Sequence, residues 1–211
     1  KKNNIKYFET GIEHGTITAV DGKYKFEITT LRKDIFTDGR HAKVEFSKNW
    51  KEDASRRDFT INSIYSDRDG NLFDPFNGKK DLENGLVNFI GDADKRIKED
   101  YLRILRYVRF FINHSKQSHT DRTKIAIKKN INGISNISSE RLLDEFKKII
   151  KSKGFLNLFK DPFCEEIVKL IFPQFKNFEI FKKLNDFAKK NIRKVDYIFL
   201  LSLMTIDDTD N

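Results

Sequence analysis

The chain has 211 residues, enough for one large domain or two small ones with a buried core. Its single cysteine, Cys164, excludes a disulfide scaffold and predicts a buried thiol in a reducing compartment, the cytoplasm or an organelle. Lysine and arginine outnumber aspartate and glutamate by 41 to 32, a net charge of +9 that favours a polyanionic partner such as nucleic acid. No apolar run approaches the roughly 18 residues of a membrane-spanning helix, so no membrane partner is expected.

The first predicted element is a β-hairpin. Polar and apolar residues alternate in two runs, 14–20 and 23–30, on either side of an Asp-Gly pair at 21–22 that is typical of tight turns. In the second run Glu27 falls on the polar face, opposite Phe26. Glu27 is therefore expected to project away from the apolar side of the hairpin.

The next stretch mixes loops with short elements. Residues 33–41 are polar and have no period, which predicts a loop, and residues 42–46 predict a short strand. A helix is predicted to begin near residue 54. Three further short elements are predicted downstream: strands at 71–73 and 86–90, and a small helix near 79–83.

From Asp94 onward the apolar pattern becomes helical and stays helical. One helix is predicted over 96–112, because apolar residues recur there at spacings of three and four. Further helices are predicted at 122–130, at 138–151 after a serine cap, and several times between 155 and 204. A strand-rich first part and an all-helical second part together predict an α+β fold.

Two features of the helical part have both a structural and a functional interpretation. Phenylalanines recur every three residues, which favours a hydrophobic core over a surface that stacks RNA bases. These residues are Phe172, Phe175, Phe178 and Phe181. The basic stretch 182–194 suits contacts with RNA phosphates and, equally, a solvated surface.

A charged series on the predicted helix at 96–112 suggests an anion site. Its members are Glu99, Asp100, Arg103, Arg106 and Arg109. Residues three and four apart are adjacent on a helix, so the arginines repel one another by roughly a few tenths of a kcal/mol per pair. An anion such as triphosphate lying along them would remove that repulsion. The alternative is a solvated face on which Glu99 and Asp100 neutralise Arg103, and the spacing alone leaves both interpretations open.

Asp100 and Arg103 can together read the edge of a nucleobase. A carboxylate accepts a hydrogen bond from an exocyclic amino group, and a guanidinium donates one to the neighbouring ring nitrogen. Cytosine and adenine present that edge, whereas uracil and guanine present a carbonyl and a ring N–H. A fixed pair therefore predicts selection of C and A over U and G.

A second charged cluster lies at residues 56–62. The adjacent Arg56 and Arg57 cannot share one helix face, so one can pair within the protein while the other contacts phosphate. Asp58 and Asn62, four residues apart, are placed to hold a ribose hydroxyl. By itself the cluster is equally an ordinary helix N-terminus.

Five segments of the chain have a characteristic order and spacing. They are Arg56-Arg57-Asp58-Phe59-Thr60-Ile61-Asn62, Asp74-Pro75-Phe76-Asn77-Gly78, Asp81-Leu82 followed by Gly85, Phe89-Ile90-Gly91, and Glu99-Asp100-Tyr101-Leu102-Arg103-Ile104-Leu105-Arg106. In this order and spacing the chain resembles class II tRNA nucleotidyltransferases, the CCA-adding enzymes. Residues 14–18, 27–32, 38–41 and 137–141 extend the resemblance, which covers about 14–148 and is faint beyond.

The resemblance implies three parts. These are a partial polymerase-β-like nucleotidyltransferase head with a mixed or antiparallel sheet over 1–92, a helical nucleotide-selecting neck over 93–151, and the start of a helical, tRNA-binding body over 152–211. It also implies transfer of CMP and AMP from CTP and ATP to the tRNA 3′ hydroxyl without a template, with Mg²⁺ as cofactor. A bacterial poly(A) polymerase shares the head and neck motifs and is one alternative. A noncatalytic RNA-binding protein that kept the scaffold is another.

The resemblance also implies roles for individual residues. Seven are implied to bind the nucleotide: Arg57 at the triphosphate, Asp58 and Asn62 near the ribose, Asp100 and Arg103 at the base, and Arg106 and Arg109 along the site. A flexible loop that helps the enzyme change from C to A addition is matched by Asp38, Gly39 and Arg40. Glu27 matches a catalytic carboxylate that assists the metal site.

The principal metal ligands of the family, an Asp-x-Asp pair, have no counterpart in the chain. Asp92 and Asp94 have the right letters, but they precede a predicted helix and are expected to cap it. Two-metal phosphoryl transfer needs clustered carboxylates, which Glu27 alone cannot supply. The first residue is not Met, and the chain ends in a polar run at 207–211. We therefore expect a fragment that is inactive by itself.

Overall fold

The computed structural model describes residues 5–12, 15–37 and 42–206. The chain divides into two units, the first formed by residues 1–57 and 63–75 and the second by 58–62 and 76–211. The predicted loop residues Asp38, Gly39 and Arg40 lie outside the described residues. The predicted boundaries of head, neck and body stay predictions.

Three strands of the first unit form an antiparallel sheet in the order β1-β2-β3. They are β1 (Lys6–Gly11), β2 (Thr16–Asp21) and β3 (Tyr24–Thr29). Gly22, in the turn between β2 and β3, has a φ of 56°, a left-handed conformation that glycine adopts without steric penalty. The predicted hairpin is confirmed. Its register sets Glu27 opposite Thr18, so that Glu27 and the neighbouring Phe26 project to opposite faces.

A second hairpin joins β4 (Arg32–Thr37) to β5 (Ala42–Phe46). The strand predicted at the position of β5 is confirmed, whereas the loop predicted over 33–41 is wrong where β4 forms. Lys33 lies opposite Glu45, and their exposed side chains form an ion pair of 3.0 Å. The register of β4 also contains an irregularity. A bulged, charged strand lacks the regular alternation that would have marked it in the sequence.

The helix predicted to begin near residue 54 starts upstream of that position. Helix α1 spans Trp50–Ser55, and Asn49 caps it because its Oδ1 accepts a hydrogen bond from the N–H of Lys51 at 2.9 Å. Arg56 follows the helix, and a separate 3-10 turn spans Thr60–Asn62. The residue pair Arg56-Arg57 therefore lies after a helix and not within one.

Two short strands follow in the first unit. β6 (Tyr65–Ser66) and β7 (Leu72–Phe73) pair antiparallel, which confirms the strand predicted there. The ring of Trp50 lies edge-on to Tyr65 and Phe73, with centroid distances of 5.1 and 6.1 Å. This aromatic cluster joins α1 to the β6–β7 hairpin.

Residues 86–90 do not form the predicted strand. Phe89 makes an isolated β-bridge with Phe59, and the two ring centroids are 4.9 Å apart. Phe59 is fully buried, and the rings of Tyr107 and Phe110 also lie against it. The apolar run at 86–90 therefore contributes to the core of the second unit.

The second unit is otherwise helical. Its α-helices are α2 (Gly78–Asn84), α3 (Ala93–Glu99), α4 (Arg103–His114), α5 (Asp121–Asn130), α6 (Ser139–Ile150), α7 (Pro162–Ile171), α8 (Glu179–Lys182), α9 (Asp186–Asn191) and α10 (Tyr197–Thr205). The predicted small helix is confirmed by α2, and the predicted α+β fold is confirmed by the order of strands and helices. Across the described ranges, every helix is too short or too polar to cross a membrane.

The single helix predicted over 96–112 is in fact two helices. α3 ends at Glu99, and Asp100 has an extended backbone with φ −154° and ψ 107°. Oδ1 of Asp100 accepts a hydrogen bond from the N–H of Leu102 at 3.1 Å, and its carbonyl accepts one from the N–H of Arg103 at 3.0 Å. This local bonding competes with the helical ladder and breaks it. The apolar spacing continues across the break, so the pattern does not reveal it.

Phenylalanines fill much of the core of the second unit. Phe146 on α6 packs against Phe172 and Phe175, with centroid distances of 4.9 and 5.0 Å. The predicted core placement is confirmed, because each member of the series is buried: Phe172, Phe175, Phe178 and Phe181. Cys164 is also fully buried, as predicted.

Candidate nucleotide-binding site

Asp58 is the central carboxylate of the predicted site within the second unit. Its carbonyl accepts a hydrogen bond from the N–H of Ile90 at 3.0 Å, which fixes the backbone next to the buried Phe59. Oδ1 accepts from Nε of Arg103 at 2.8 Å, and Oδ2 accepts from Nε of Arg106 at 2.6 Å. Because Asp58 is only 8% exposed, its charge depends on both arginines for compensation.

Arg103 is buried and uses two of its three guanidinium nitrogens within the protein. Besides the bond to Asp58, Nη1 donates to Oε2 of Glu99 and to the carbonyl of Arg96, both at 2.6 Å. Burial would lower the pKa of Arg103, but the hydrogen bonds and charges of Glu99 and Asp58 outweigh it and raise the pKa. No hydrogen bond engages Nη2 in the part of the chain that the structure describes. We call Asp58, Glu99, Arg103 and Arg106 the Asp58 network.

The network differs from both interpretations of the charged series. Glu99 does neutralise Arg103, as the solvated-face alternative predicts, but Arg103 is buried and not solvated. The charge of the arginines is balanced in this structure by carboxylates of the same chain. An anion binding here must therefore compete with Asp58.

Asp100 lies in the break between α3 and α4 and binds a different arginine. Its Oδ2 accepts a hydrogen bond from Nη2 of Arg141 on α6 at 2.8 Å. The Asp100 side chain is 22% exposed and that of Arg141 is 30% exposed. Asp100 and Arg103 thus flank one break in the chain but belong to separate ion pairs.

Arg109 is held by a carboxylate that sequence reasoning missed. Its Nε donates to Oε1 of Glu145 at 2.5 Å, and its guanidinium lies 4.8 Å from the centroid of the Phe110 ring. Glu145 is almost fully buried, and its Oε2 accepts from Nζ of Lys148 at 3.1 Å. A sequence signal for Glu145 was its spacing: it follows Arg141 by four residues, so the two side chains lie on the same face of α6.

In the first unit, Asp53 organises the arginines that follow α1. It is 1% exposed, and its Oδ1 accepts from Nε of Arg56 at 2.9 Å and from the N–H of Arg32 at 3.1 Å. Its Oδ2 accepts from the hydroxyl of Tyr65 at 2.6 Å and from Nη2 of Arg57 at 3.2 Å. Burial alone would raise the pKa of Asp53, but the hydrogen bonds from Tyr65 and Arg56 outweigh it and lower the pKa. Sequence analysis did not single out Asp53, although its spacing of three and four residues from Arg56 and Arg57 was an available signal.

Arg56 and Arg57 differ in exposure. The Arg56 side chain is 15% exposed, whereas that of Arg57 is 40% exposed and lies 5.9 Å from the centroid of the Tyr65 ring. Burial raises the pKa of Tyr65 to about 12, and its hydrogen bond to Asp53 acts in the same direction. Of the two adjacent arginines, Arg57 therefore has the more exposed side chain.

Asn62 closes the 3-10 turn that follows Asp58. Its Oδ1 accepts a hydrogen bond from the N–H of Phe59 at 3.2 Å. Thr60 donates its hydroxyl to Oδ2 of Asp81 on α2 at 2.6 Å, which anchors the same turn. The side-chain oxygen Oδ1 of Asn62 thus has a structural role. The predicted contact of Asn62 with the ribose stays a prediction.

Glu27 is exposed on β3. Among the residues that the structure describes, Glu27 belongs to no group of three or more possible metal ligands. Mg²⁺ prefers an octahedral set of oxygen ligands, mostly carboxylates, phosphates and water. The described residues around Glu27 therefore do not by themselves fit a magnesium site.

One group of possible metal ligands does occur in the described structure, in the second unit. It consists of His119, Asp161 and Cys164. His119 Nε2 lies 2.9 Å from Oδ1 of Asp161, and His119 Nδ1 lies 2.9 Å from the hydroxyl of Tyr107. Asp161 also caps α7 through the N–H of Cys164 at 2.8 Å. An imidazole and a thiol do not suit Mg²⁺, and these hydrogen bonds account for the group as part of the core.

Asp92 has the capping role that was predicted, whereas Asp94 lies in the first turn of α3 and does not cap it. Oδ1 of Asp92 accepts a hydrogen bond from the N–H of Lys95 at 3.0 Å, in the first turn of α3. Asp94 pairs with Lys98 one turn later, at 2.7 Å, and accepts from Asn130 on α5. Their carboxylates are thus engaged at the start of α3.

Two family models match separate parts of the chain. The Poly A polymerase head domain matches residues 1–88. The model described as "Probable RNA and SrmB- binding site of polymerase A" matches residues 120–179. The matches follow the order of the strand-rich and helical parts.

Curated relatives are enzymes that carry CCA in their names. The chain is 54% identical over 142 residues to human "CCA tRNA nucleotidyltransferase 1, mitochondrial", which covers 66% of the chain and 33% of the relative. It is 34% identical over 210 residues to the CCA-adding enzyme of Ligilactobacillus salivarius, which covers 97% of the chain and 52% of the relative. The chain thus spans a third to a half of the length of these relatives.

A solved structure supports the same fold. The CCA-adding enzyme of Bacillus stearothermophilus, determined in complex with CTP, superimposes with a TM-score of 0.66 over 94% of the chain and 54% of that protein, at 23% identity. At this identity the likeness concerns the fold alone. The two family models and the curated relatives lead to one conclusion: the chain belongs to the class II CCA-adding enzyme and poly(A) polymerase family.

Proposed function

We propose that the protein adds C and A to the 3′ end of tRNA without a template, taking CMP and AMP from CTP and ATP. The names of its relatives support this activity. The observation that carries the proposal for this chain is the Asp58 network together with Asp100, which follows Glu99 at the break between α3 and α4. Together they provide guanidinium donors on α4 and a partly exposed carboxylate at the break that precedes α4.

Base selection would use Asp100 and Arg103. Each oxygen of Asp100 accepts one hydrogen bond from the protein, so each retains a lone pair for the amino group of cytosine or adenine. Nη2 of Arg103 would donate to the adjacent ring nitrogen. Uracil and guanine would set a carbonyl against the carboxylate and a ring N–H against the guanidinium, and both contacts are repulsive.

The phosphates would be bound by arginines. Arg106 is 29% exposed on its side chain and uses Nε and Nη2 to bind Asp58, and Arg57 is 40% exposed. We propose that Arg57 contacts the triphosphate and that Arg106 and Arg109 line the site. Asp58 and Asn62 are proposed to lie near the ribose.

The remaining parts of the proposal rest on the family resemblance. Glu27 is proposed to assist a Mg²⁺ site whose other ligands are not among the residues described. Asp38, Gly39 and Arg40 are proposed to form the loop that permits the change from C to A addition. The cellular site is proposed to be the cytoplasm or an organelle, in keeping with the mitochondrial label of the human relative.

A primer-extension assay tests the function. The protein expressed from its complete gene is incubated with tRNA that lacks its 3′-terminal CCA, with Mg²⁺ and with CTP, ATP, UTP or GTP singly and in mixture. We expect addition of C, C and A followed by a stop. A long tract of A would identify a poly(A) polymerase, and tRNA binding without any nucleotide transfer would identify a noncatalytic RNA-binding protein.

A further inference from the structure

Asp100 depends on other segments of the chain for its position. It lies outside both α3 and α4, so no helical backbone ladder holds it. Its Oδ1 is bonded locally to the N–H of Leu102, and its Oδ2 is bonded to Nη2 of Arg141, 41 residues away. Arg141 therefore provides the long-range restraint on the direction of this carboxylate.

Arg141 lies on a helix that packs into the core of the second unit. It lies in the first turn of α6, where Oγ of the N-cap Ser138 accepts a hydrogen bond from its N–H at 3.4 Å. One turn later, Glu145 on the same helix binds Arg109 of α4 at 2.5 Å. Phe146 and Ile149 of α6 are fully buried in the core. The two opposite charges on one face of α6 thus engage both the α3–α4 break and the body of α4.

The residue after Asp100 is restrained from a second side. The ring of Tyr101 lies directly over Gly133, and a Cβ atom added to Gly133 would overlap that ring. Gly133 belongs to the 3-10 segment Ile131–Asn136, which precedes α6. Two neighbouring segments therefore restrain the break. Helix α6 contacts the carboxylate of Asp100, and the 3-10 segment before it contacts the ring of Tyr101.

We propose that Arg141 is a positioning residue for base selection: by binding Oδ2 of Asp100, it fixes the carboxylate in the direction that favours an amino-bearing base edge. This inference rests on the proposed function, because it assumes that Asp100 reads the base. Arg141 does not itself touch the base or the phosphates in this scheme. Loss of Arg141 should change the selectivity between bases. The part of the binding affinity that comes from the triphosphate, which all four nucleotides share, should stay the same.

The test compares four variants of the protein expressed from its complete gene with the unchanged protein: Arg141→Gln, Arg141→Lys, Asp100→Asn and Arg122→Gln. Arg122 is the matched control, because its Nη2 binds Asp92 at 2.6 Å on the exposed surface of α5, away from the Asp58 network. Dissociation constants are measured for CTP, ATP, UTP and GTP. The loss of one charged hydrogen bond predicts that Arg141→Gln reduces the preference for CTP over UTP about tenfold. Arg141→Lys should restore part of it, and Arg122→Gln should leave it unchanged.

Hydrogen exchange gives a second measurement that needs no nucleotide. In Arg141→Gln the amide of Leu102 should exchange faster, because the carboxylate that accepts its hydrogen bond is no longer held. Exchange at the core amides of α6 should be unchanged. A Leu102 amide that exchanges at the original rate contradicts the positioning role.

The outcomes separate the inference from the function beneath it. If Asp100→Asn abolishes the preference for CTP while Arg141→Gln retains it, the positioning role is wrong and the base-reading role stands. If Asp100→Asn retains the preference, or if the unchanged protein expressed from its complete gene binds no nucleotide, the proposed function of this site is itself wrong.

Discussion

Asp58 and Arg103, 45 positions apart in the sequence, form a buried ion pair in which Oδ1 accepts from Nε at 2.8 Å. The pair links the turn after Asp58 to the first residue of α4, and Arg106 attaches to the other carboxylate oxygen. Within the second unit, the arrangement connects Asp58 of one charged cluster to Arg103 and Arg106 of the other. Stability and nucleotide selection are therefore expected to depend on the same group of residues.

Removing the carboxylate of Asp58 should destabilise the protein. Asp58→Ala leaves Arg103 buried without one of its two counter-charges, and breaking a buried pair costs about 3–5 kcal/mol. The free energy of unfolding is measured by urea denaturation. Asp69→Ala is the control. Asp69 is largely exposed and forms a long, solvent-exposed ion pair with Arg68 at 3.7 Å, so this substitution should cause no measurable change in stability. Equal effects of the two substitutions would contradict a structural role of the Asp58 network.

Asp100→Ala in the protein expressed from its complete gene should relax base selection. Loss of the acceptor for the amino group should reduce discrimination of C and A against U and G by about 1–3 kcal/mol. Incorporation rates with each of the four nucleotides measure this change. Unaltered discrimination would remove Asp100 from the base-reading role.

Arg57→Ala should weaken all nucleotides by a similar factor. The Arg57 side chain is 40% exposed and is proposed to bind the triphosphate, which every nucleotide carries. Loss of a charged hydrogen bond corresponds to about a tenfold weakening. Dissociation constants for the four nucleotides provide the measurement, and Arg68→Ala, at a 92% exposed side chain, is the control. A loss confined to one or two bases would be inconsistent with phosphate binding.

Stability should fall as the pH decreases through 6.5. Burial lowers the pKa of His119 below its ordinary 6.5, against the opposing influence of Asp161. The unfolded chain therefore takes up a proton that the folded protein resists, and the free energy of unfolding rises with pH across this window. Burial and the charge of Arg109 lower the pKa of His114 in the same direction.

Urea denaturation at pH of about 5 and about 8 measures this slope. Replacement of His119 by Gln should remove one part of the slope, and replacement of His114 by Gln should remove another. Carboxylates whose pKa is lowered, such as Asp53 and Asp161, lose their contribution near and below 3.8 and do not enter this range. A flat profile in the unchanged protein would contradict the burial of both imidazoles.

Gly133→Ala should destabilise the second unit. The added methyl group meets the ring of Tyr101, and overpacking of this kind costs about 1–3 kcal/mol. The control is the same substitution in a Tyr101→Ala background, where the ring is absent and the added cost should largely disappear. Thermal unfolding of the four proteins completes the double-mutant cycle. Additive effects would show that the two residues do not interact.

The parts of the fold that local chemistry determines could be predicted. The β2–β3 hairpin follows from alternation and a turn at 21–22, and the phenylalanine core follows from helical spacing. The break at Asp100 could not be predicted from the apolar period, because it arises from a side chain that bonds its own backbone neighbourhood. Strand β4 could not be predicted for a related reason. Its sequence lacks polar and apolar alternation, and it forms a strand because it pairs with β5.

The candidate site was predictable in its members but not in their partners. Asp58, Asp100 and Arg103 can be named from motif spacing. That Arg103 binds Asp58 and Asp100 binds Arg141 depends on contacts across more than 40 residues, which no spacing rule encodes. Glu145 shows the same limit, because its partner Arg109 lies 36 residues away in the sequence.

The carboxylate of Asp58 binds Nε and Nη2 of Arg106, two of its three guanidinium nitrogens. A nucleotide phosphate that binds these two nitrogens displaces Asp58, so its arrival exchanges one negative partner for another. Such an exchange yields much less free energy than the pairing of two separated ions in the same surroundings. Ligands bound in this way should leave readily, which suits a protein whose proposed task is to release one kind of nucleotide and accept a second.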